Sequence, residues 1–183
     1  MNRKLTHDEI SQNRAKQDAL HEVDKMPVYI ICNSIRSTYN VGSIFRTSDG
    51  AMIKKLYLCG FTPAPPKKEI LKTALGATDS VEWEYVKDPL EVIRDLKSKG
   101  IKIAALELTD SSLPYYDLTS DTFPLCVVIG NEITGVSQDI LDECDFSLEI
   151  PQYGIKQSLN VAVAYGIAVF ELRKIYDLAK RGN

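Results

Sequence analysis

Hydrophobic positions along the chain fall into short unbroken runs separated by stretches with helical spacing. Val28 to Cys32 is a continuous apolar run of the kind a strand buried on both faces shows. Leu56 to Cys59, Val81 to Val86, Ile101 to Leu108, Leu125 to Ile129 and Phe146 to Ile150 repeat the pattern, and Leu125 to Ile129 is the most apolar. Between them, Val41, Ile44 and Phe45 recur at helical spacing, with Asn40 placed to cap the start and Gly50 at the end. A short helix begins at Lys67, Lys68 and Lys72 after the loop of Pro63, Pro65 and Pro66. Pro89 to Lys99 reads as an amphipathic helix ended by Gly100, and Asp139 to Cys144 as another short one. This alternation predicts an α/β domain with a mainly parallel sheet of about six strands in three layers. Residues 1–26 read as an N-terminal helical arm with a narrow stripe of Leu5, Ile10, Leu20 and Val23, ended by Pro27, and residues 27–183 as the single domain.

The C-terminal stretch organises the rest. Ile150 to Asn160 reads as strand end, loop and helix start, and between Leu159 and Phe170 only Asn160 and Gly166 fall outside the hydrophobic set. A helix so apolar is expected to be buried on most faces, with Ser158 at a hidden mouth. Ser158 either caps the helix or presents its hydroxyl and amide to a ligand at the positive dipole end. Asn160, costly inside an apolar helix unless partnered, favours a site.

Composition changes this picture little. The formal charge is −3 and the sequence pI about 5.5, so binding of nucleic acid through bulk charge is excluded and any such contact is local. Arg3, Lys4, Arg14 and Lys16 give the arm a basic side, either a solvated face or one that meets RNA. Cys32, Cys59, Cys126 and Cys144 lie in or beside strand-like runs without a C-x-x-C pair, which predicts reduced thiols. His7 and His21 have no ligands at zinc-site spacing, so no metal is expected. With no apolar signal core and no membrane-spanning run, the expected compartment is the cytoplasm.

In sheets of this kind ligands bind beyond the carboxyl ends of the strands, where the segments 33–40, 130–135 and 151–158 carry polar groups. Glu132, directly after the most apolar strand and between Gly130 and Gly135, stands out as a site acid. Arg46 falls on roughly the same side of its helix as Asn40; it either pairs with Asp49 or offers its planar fork to a phosphate. Neither G-x-G-x-x-G nor G-x-x-x-x-G-K-[ST] accompanies these positions, which disfavours ordinary dinucleotide enzymes and P-loop NTPases. Nor is there a G-x-S-x-G motif for a serine hydrolase.

Taken together, Asn40-x-Gly42-x-x-x-Arg46, Gly130-Asn131-Glu132-x-x-Gly135 and Ile150-Pro151-x-x-Gly154-x-x-x-Ser158-Leu159-Asn160-Val161 resemble the SpoU branch of the SPOUT RNA methyltransferases, in that family's order and over roughly residues 28–178. The resemblance implies a deep trefoil knot at the C-terminal end, a homodimer, and transfer of a methyl group from S-adenosylmethionine to a ribose 2′-hydroxyl of tRNA or rRNA. The family's catalytic set falls on Asn40, Arg46, Glu132, Ser158 and Asn160, and its cofactor contacts on Leu106, Gly130, Ile150 and Leu159. Gln152 and Ala162 depart from the family's frequent Met and Ser. A knotted methyltransferase acting on a base nitrogen and an inactive RNA-binding dimer of the same fold are the alternatives.

Overall fold

The computed structural model describes residues 2–12 and 23–182. Strands β1 (Met26–Asn33), β2 (Ile53–Cys59), β3 (Trp83–Val86), β4 (Lys102–Leu106), β5 (Leu113–Pro114), β6 (Leu125–Ile129) and β7 (Phe146–Glu149) form one seven-stranded sheet in the order β3-β2-β1-β6-β4-β7-β5. Every neighbouring pair is parallel. All six expected strands are present. The additional one, β5, is a two-residue edge too short to leave a periodic signal.

The strands alternate their side chains between two cores. Val28, Ile30, Cys32, Leu58 and Val127 meet Ile44 and Phe45 of helix α2 (Thr38–Ala51) and Tyr165 and Val169 of helix α7 (Val161–Arg181). On the other face Ile31, Cys59, Ile103 and Val128 meet Ile93 and Leu96 of helix α5 (Pro89–Ser98) and Ile140 of helix α6 (Gln138–Leu141). The three-layer arrangement follows. Strand β6 is buried at every residue because it lies at the sheet's centre, which explains why it reads as the most apolar run. All four cysteines are free, and burial pushes the Cys59 and Cys144 thiols up to about 12.

Several expectations are corrected. Pro27 does not end the arm but is the second residue of β1, where the register against β2 shifts between Met26 and Tyr29 and a residue lacking an N–H is tolerated. In the arm, helix α1 (His7–Gln12) buries nothing; a capping box closes it, with Thr6 N donating to Glu9 Oε2 at 2.8 Å and Glu9 N to Thr6 Oγ1 at 3.3 Å. Arg14, Lys16, Leu20 and His21 lie outside the described residues. Asn40 is not the cap of α2: Ser37 is, accepting from Asn40 N at 3.3 Å, which leaves the Asn40 side chain free for other work. Helix α2 also touches helix α3 (Lys68–Ala74), which the short helix α4 (Ala77–Ser80) follows, at backbone distance, since a Cβ on Gly42 would lie 2.7 Å from Thr73 Cβ and 2.8 Å from Ile70 O.

Helix α7 is less hidden than its composition suggests. Tyr165, Ala168, Val169 and Leu172 form its buried stripe, and Tyr165 Oη lies 2.7 Å from Ser48 Oγ of α2. Its opposite flank is open, with Val163 and Phe170 each 51% exposed, and residues 152–160 are exposed throughout. Among the described residues no helix is long and apolar enough to cross a membrane.

Candidate active site

The polar loops leave the carboxyl ends of β1, β6, β4 and β7, which are neighbours in the sheet. Chain order jumps between these strands, so their loops diverge and leave a crevice. At its centre lies the Glu132 carboxylate. Oε2 accepts from Arg36 N at 2.8 Å, and Oε1 from Ser37 N at 3.1 Å and from Asn40 Nδ2 at 2.9 Å. Burial opposes ionisation of this carboxyl, but the donated hydrogen bonds outweigh it and hold its pKa below the usual value.

The network continues through α2 to α7. Asn40 Oδ1 accepts from Asn160 Nδ2 at 3.1 Å, while Asn160 Oδ1 accepts from Ala162 N at 2.9 Å and Val163 N at 3.3 Å. Asn160, not Ser158, is therefore the N-cap of α7. One amide satisfies the helix end with its oxygen and fixes Asn40 with its nitrogen. The partner that Asn160 requires is thus Asn40.

The turn carrying Glu132 is itself clamped. Asn131 and Gly135 exchange backbone hydrogen bonds of 3.1 and 2.9 Å. Asn131 Oδ1 accepts from Ile133 N and Thr134 N, and its Nδ2 donates to Ser34 O at 2.8 Å, which binds the turn to the loop after β1. Glu107 Oε2 accepts from Val136 N at 2.9 Å. A Cβ on Gly130 would fall 2.2 Å from the Gly135 carbonyl carbon, and Gly135 has φ +65° with its Cβ direction blocked by Glu107 Oε2. Sequence reasoning missed Asn131 and Glu107 as positioning residues; the glycines on either side of Glu132 were the available sign of so tight a turn.

Beside this turn lies a cavity of about 870 Å³, within the range of small-molecule sites. Leu106, Gly130, Ile150 and Leu159 all line it, as do Glu132 and Ser158. Glu132 also borders a smaller hollow of about 350 Å³ with Arg36, Ser37 and Asn40. Ser158 is exposed and has no hydrogen bond among the described residues, so the capping role is removed and its hydroxyl stays available. Arg46 lines neither hollow. Six residues at 100° each turn it about 120° away from Asn40, so the two do not share a face. Asp49, its alternative partner, instead accepts from Ser80 Oγ at 2.5 Å, and Arg46 forms no ion pair among the described residues. One turn on, Gly50 approaches the open flank of α7, its Cβ direction 3.5 Å from Phe170 Cζ.

The profile of the SpoU rRNA methylase family matches residues 27–170, which spans every one of these site positions. The chain belongs to the SpoU methylase family. Among curated SpoU relatives, the tRNA (guanosine(18)-2′-O)-methyltransferase of Aquifex aeolicus is 31% identical over 147 residues, 79% of this chain and 68% of that one. A TrmH-family protein of Staphylococcus haemolyticus is 29% identical over 165 residues, and the chain spans 63% of its length. Among solved structures, the A. aeolicus TrmH/SpoU tRNA modifying enzyme superposes with a TM-score of 0.80 at 28% identity, covering 90% of this chain and 84% of that one. The AdoMet-bound rRNA methyltransferase of Sinorhizobium meliloti gives 0.77 at 27% identity, with 85% and 59% covered. The likeness to these structures accords with the mainly parallel α/β sheet that the alternating apolar runs predicted.

Proposed function

We propose that this chain is an S-adenosylmethionine-dependent RNA methyltransferase that modifies a ribose 2′-hydroxyl of tRNA or rRNA. The observation that carries the reading is the relay Glu132–Asn40–Asn160, which joins the turn after β6 to the starts of α2 and α7 at the edge of a cavity of about 870 Å³. The named 2′-O-methyltransferase relative supports the ribose as acceptor. In support of the cofactor reading, backbone and apolar groups at Leu106, Gly130, Ile150 and Leu159 line the cavity and offer a nucleoside a bed. When bound, the cofactor supplies an electrophilic methyl group on a sulfonium.

This chain's residues then have to align the 2′-oxygen and manage its proton. Glu132, held ionised, fixes Asn40, and Asn40 fixes Asn160. Ser158 and Asn160 orient ribose and cofactor at the mouth of α7. A guanidinium cannot accept a proton at neutral pH, so Arg46 holds the adjacent phosphate and stabilises charge developing on the 2′-oxygen, while water or another group takes the proton.

Arg46 enters this reading through a second copy of the chain. Gly50, one turn beyond Arg46, approaches the exposed flank of α7, where Val163 and Phe170 call for cover; in the homodimer we propose through that surface, the Arg46 of one protomer would serve its partner's crevice. The same reading includes the family's deep trefoil knot at the C-terminal end and a cytoplasmic setting in keeping with the free thiols. The test is nucleoside mass spectrometry on RNA from cells lacking the protein. A missing 2′-O-methyl nucleotide is expected, and a missing base methylation with all ribose methyls intact would replace this reading with the base-nitrogen one.

A further inference from the structure

A second feature lies at the carboxyl ends of β1, β2 and β3, outside the cavity. Phe61 follows β2 and is 63% exposed. It is nevertheless held on a rigid turn. Gly60, with φ +63°, donates its N–H to Lys87 O at 3.0 Å, and Gly60 O accepts from the Tyr85 hydroxyl at 2.6 Å. On the other side Thr62 N donates to Cys59 O at 3.1 Å. The Thr62 hydroxyl donates to Cys32 O at 2.8 Å and accepts from Ile35 N at 3.0 Å.

That last bond places the Phe61 turn against the active-site loop. Phe61 is one residue from Thr62, and Ile35 is one residue from Arg36, whose N–H holds Glu132. Two exposed cations flank the turn, Arg36 on one side and Lys87 on the other, and neither side chain has an acidic partner among the described residues. The nearby acid, Asp88, has its carboxylate engaged by Leu90 N at 2.9 Å as the cap of α5. Tyr85, 47% exposed, extends the aromatic surface.

We propose that Phe61 is a stacking platform for an unpaired base of the RNA substrate next to the methylated nucleotide, with Arg36 and Lys87 taking the flanking phosphates. The inference rests on the reading of the crevice as an RNA methyltransferase site. Sequence-tolerant RNA contacts combine these groups, an aromatic face for the base and unpaired cations for the backbone. In a chain of net charge −3, cations kept free of acids beside an exposed ring match a polyanion better than they match an apolar protein surface. A fixed ring also loses little freedom when a base covers it.

Anisotropy titrations with labelled single-stranded oligoadenylate and an unmodified tRNA transcript test this on the full chain. Phe61→Ala should weaken both by roughly five- to a hundredfold, the range for losing one stacked base, and raise KM for RNA more than it lowers kcat. Phe61→Trp should keep affinity and add fluorescence, beyond that of Trp83, that RNA quenches. Arg36→Gln and Lys87→Gln should each flatten the salt dependence by about one phosphate contact. Unchanged affinity in Phe61→Ala, an unquenched Phe61→Trp, or a change of oligomeric state in Phe61→Ala would overturn the proposal; the last would make this face a protein interface. A wild-type chain that transfers no methyl to RNA would sink the enzymatic reading instead, and quenching of Phe61→Trp reads the platform independently of that activity.

Discussion

On one side of the cavity the turn 130–136 is held by Asn131, by Glu107 and by contacts that allow no Cβ on Gly130, whereas on the other side residues 152–159 are wholly exposed. Along that second wall the only side-chain bond among the described residues is local, Gln152 Nε2 to Ile150 O at 2.9 Å, and Gly154 has nothing near its Cβ direction. The first wall is built before any ligand arrives, because the Asn131 and Glu132 side chains and the amides of Ile133, Thr134, Gly135 and Val136 are bonded within the fold. The second wall shows no such bonds among the described residues, and on the proposed reading the cofactor or a second protomer closes on it. Catalysis by positioning needs the first kind of wall, while entry and release of a buried cofactor need the second.

The largest effect should come from a group on neither wall. Arg46→Ala should lower kcat by at least about a hundredfold with little change in cofactor affinity, because it removes charge stabilisation stronger in the transition state. Arg46→Lys should rescue poorly, since a point charge lacks the fork. Single-turnover kinetics on folded protein check this, and near-normal turnover would remove Arg46 from the chemistry.

Next, the walls should differ in tolerance. Gly130→Ala drives a Cβ into the Gly135 backbone and should cost about 3 kcal/mol on the overpacking scale, whereas Gly154→Ala should stay within about 0.5 kcal/mol. Urea midpoints measure both, and equal costs would erase the contrast. The relay can be separated from the cap at Asn160. Asn160→Ala loses both and should destabilise α7 by about 1 kcal/mol. Asn160→Asp keeps an acceptor for Ala162 N and Val163 N but has no N–H for Asn40, so its melting temperature should hold while the methyl-transfer rate falls about tenfold.

Acid should loosen the built wall from its centre. The folded pKa of Glu132 lies below its unfolded one, so its contribution is complete above the unfolded value, about pH 4, and is lost as pH falls through the lower folded value. Glu132→Gln should abolish that portion of the acid dependence. The smallest effect belongs to the loose wall: adding S-adenosylmethionine should slow amide exchange across 152–159 and leave 130–136 little changed.

Much of this was legible in the residues. Strands buried on both faces declare themselves as unbroken runs, and Glu132 was conspicuous between glycines after the most apolar of them. What misled was local ambiguity and the missing surroundings. Ser37 and Asn40 are both competent caps three residues apart, so the start of α2 could be placed at either. Ser158 lost the cap of α7 to Asn160 for the same reason. Helical spacing was read too loosely for Asn40 and Arg46, which face about 120° apart. An apolar run such as 161–170 states that cover is needed but not whether the same chain provides it, and here one flank stays open. Asn131 and Glu107 act through backbone amides distant in sequence, a pairing no local pattern contains.

Ribose methylation can be read out with purified protein. Incubated with labelled S-adenosylmethionine and unmodified RNA, then digested to nucleosides for mass spectrometry, the RNA should carry its new methyl on a ribose 2′-oxygen. The neighbouring phosphodiester should also resist alkaline cleavage. A methyl found on a base, or no transfer by protein that binds both cofactor and RNA, would contradict the account.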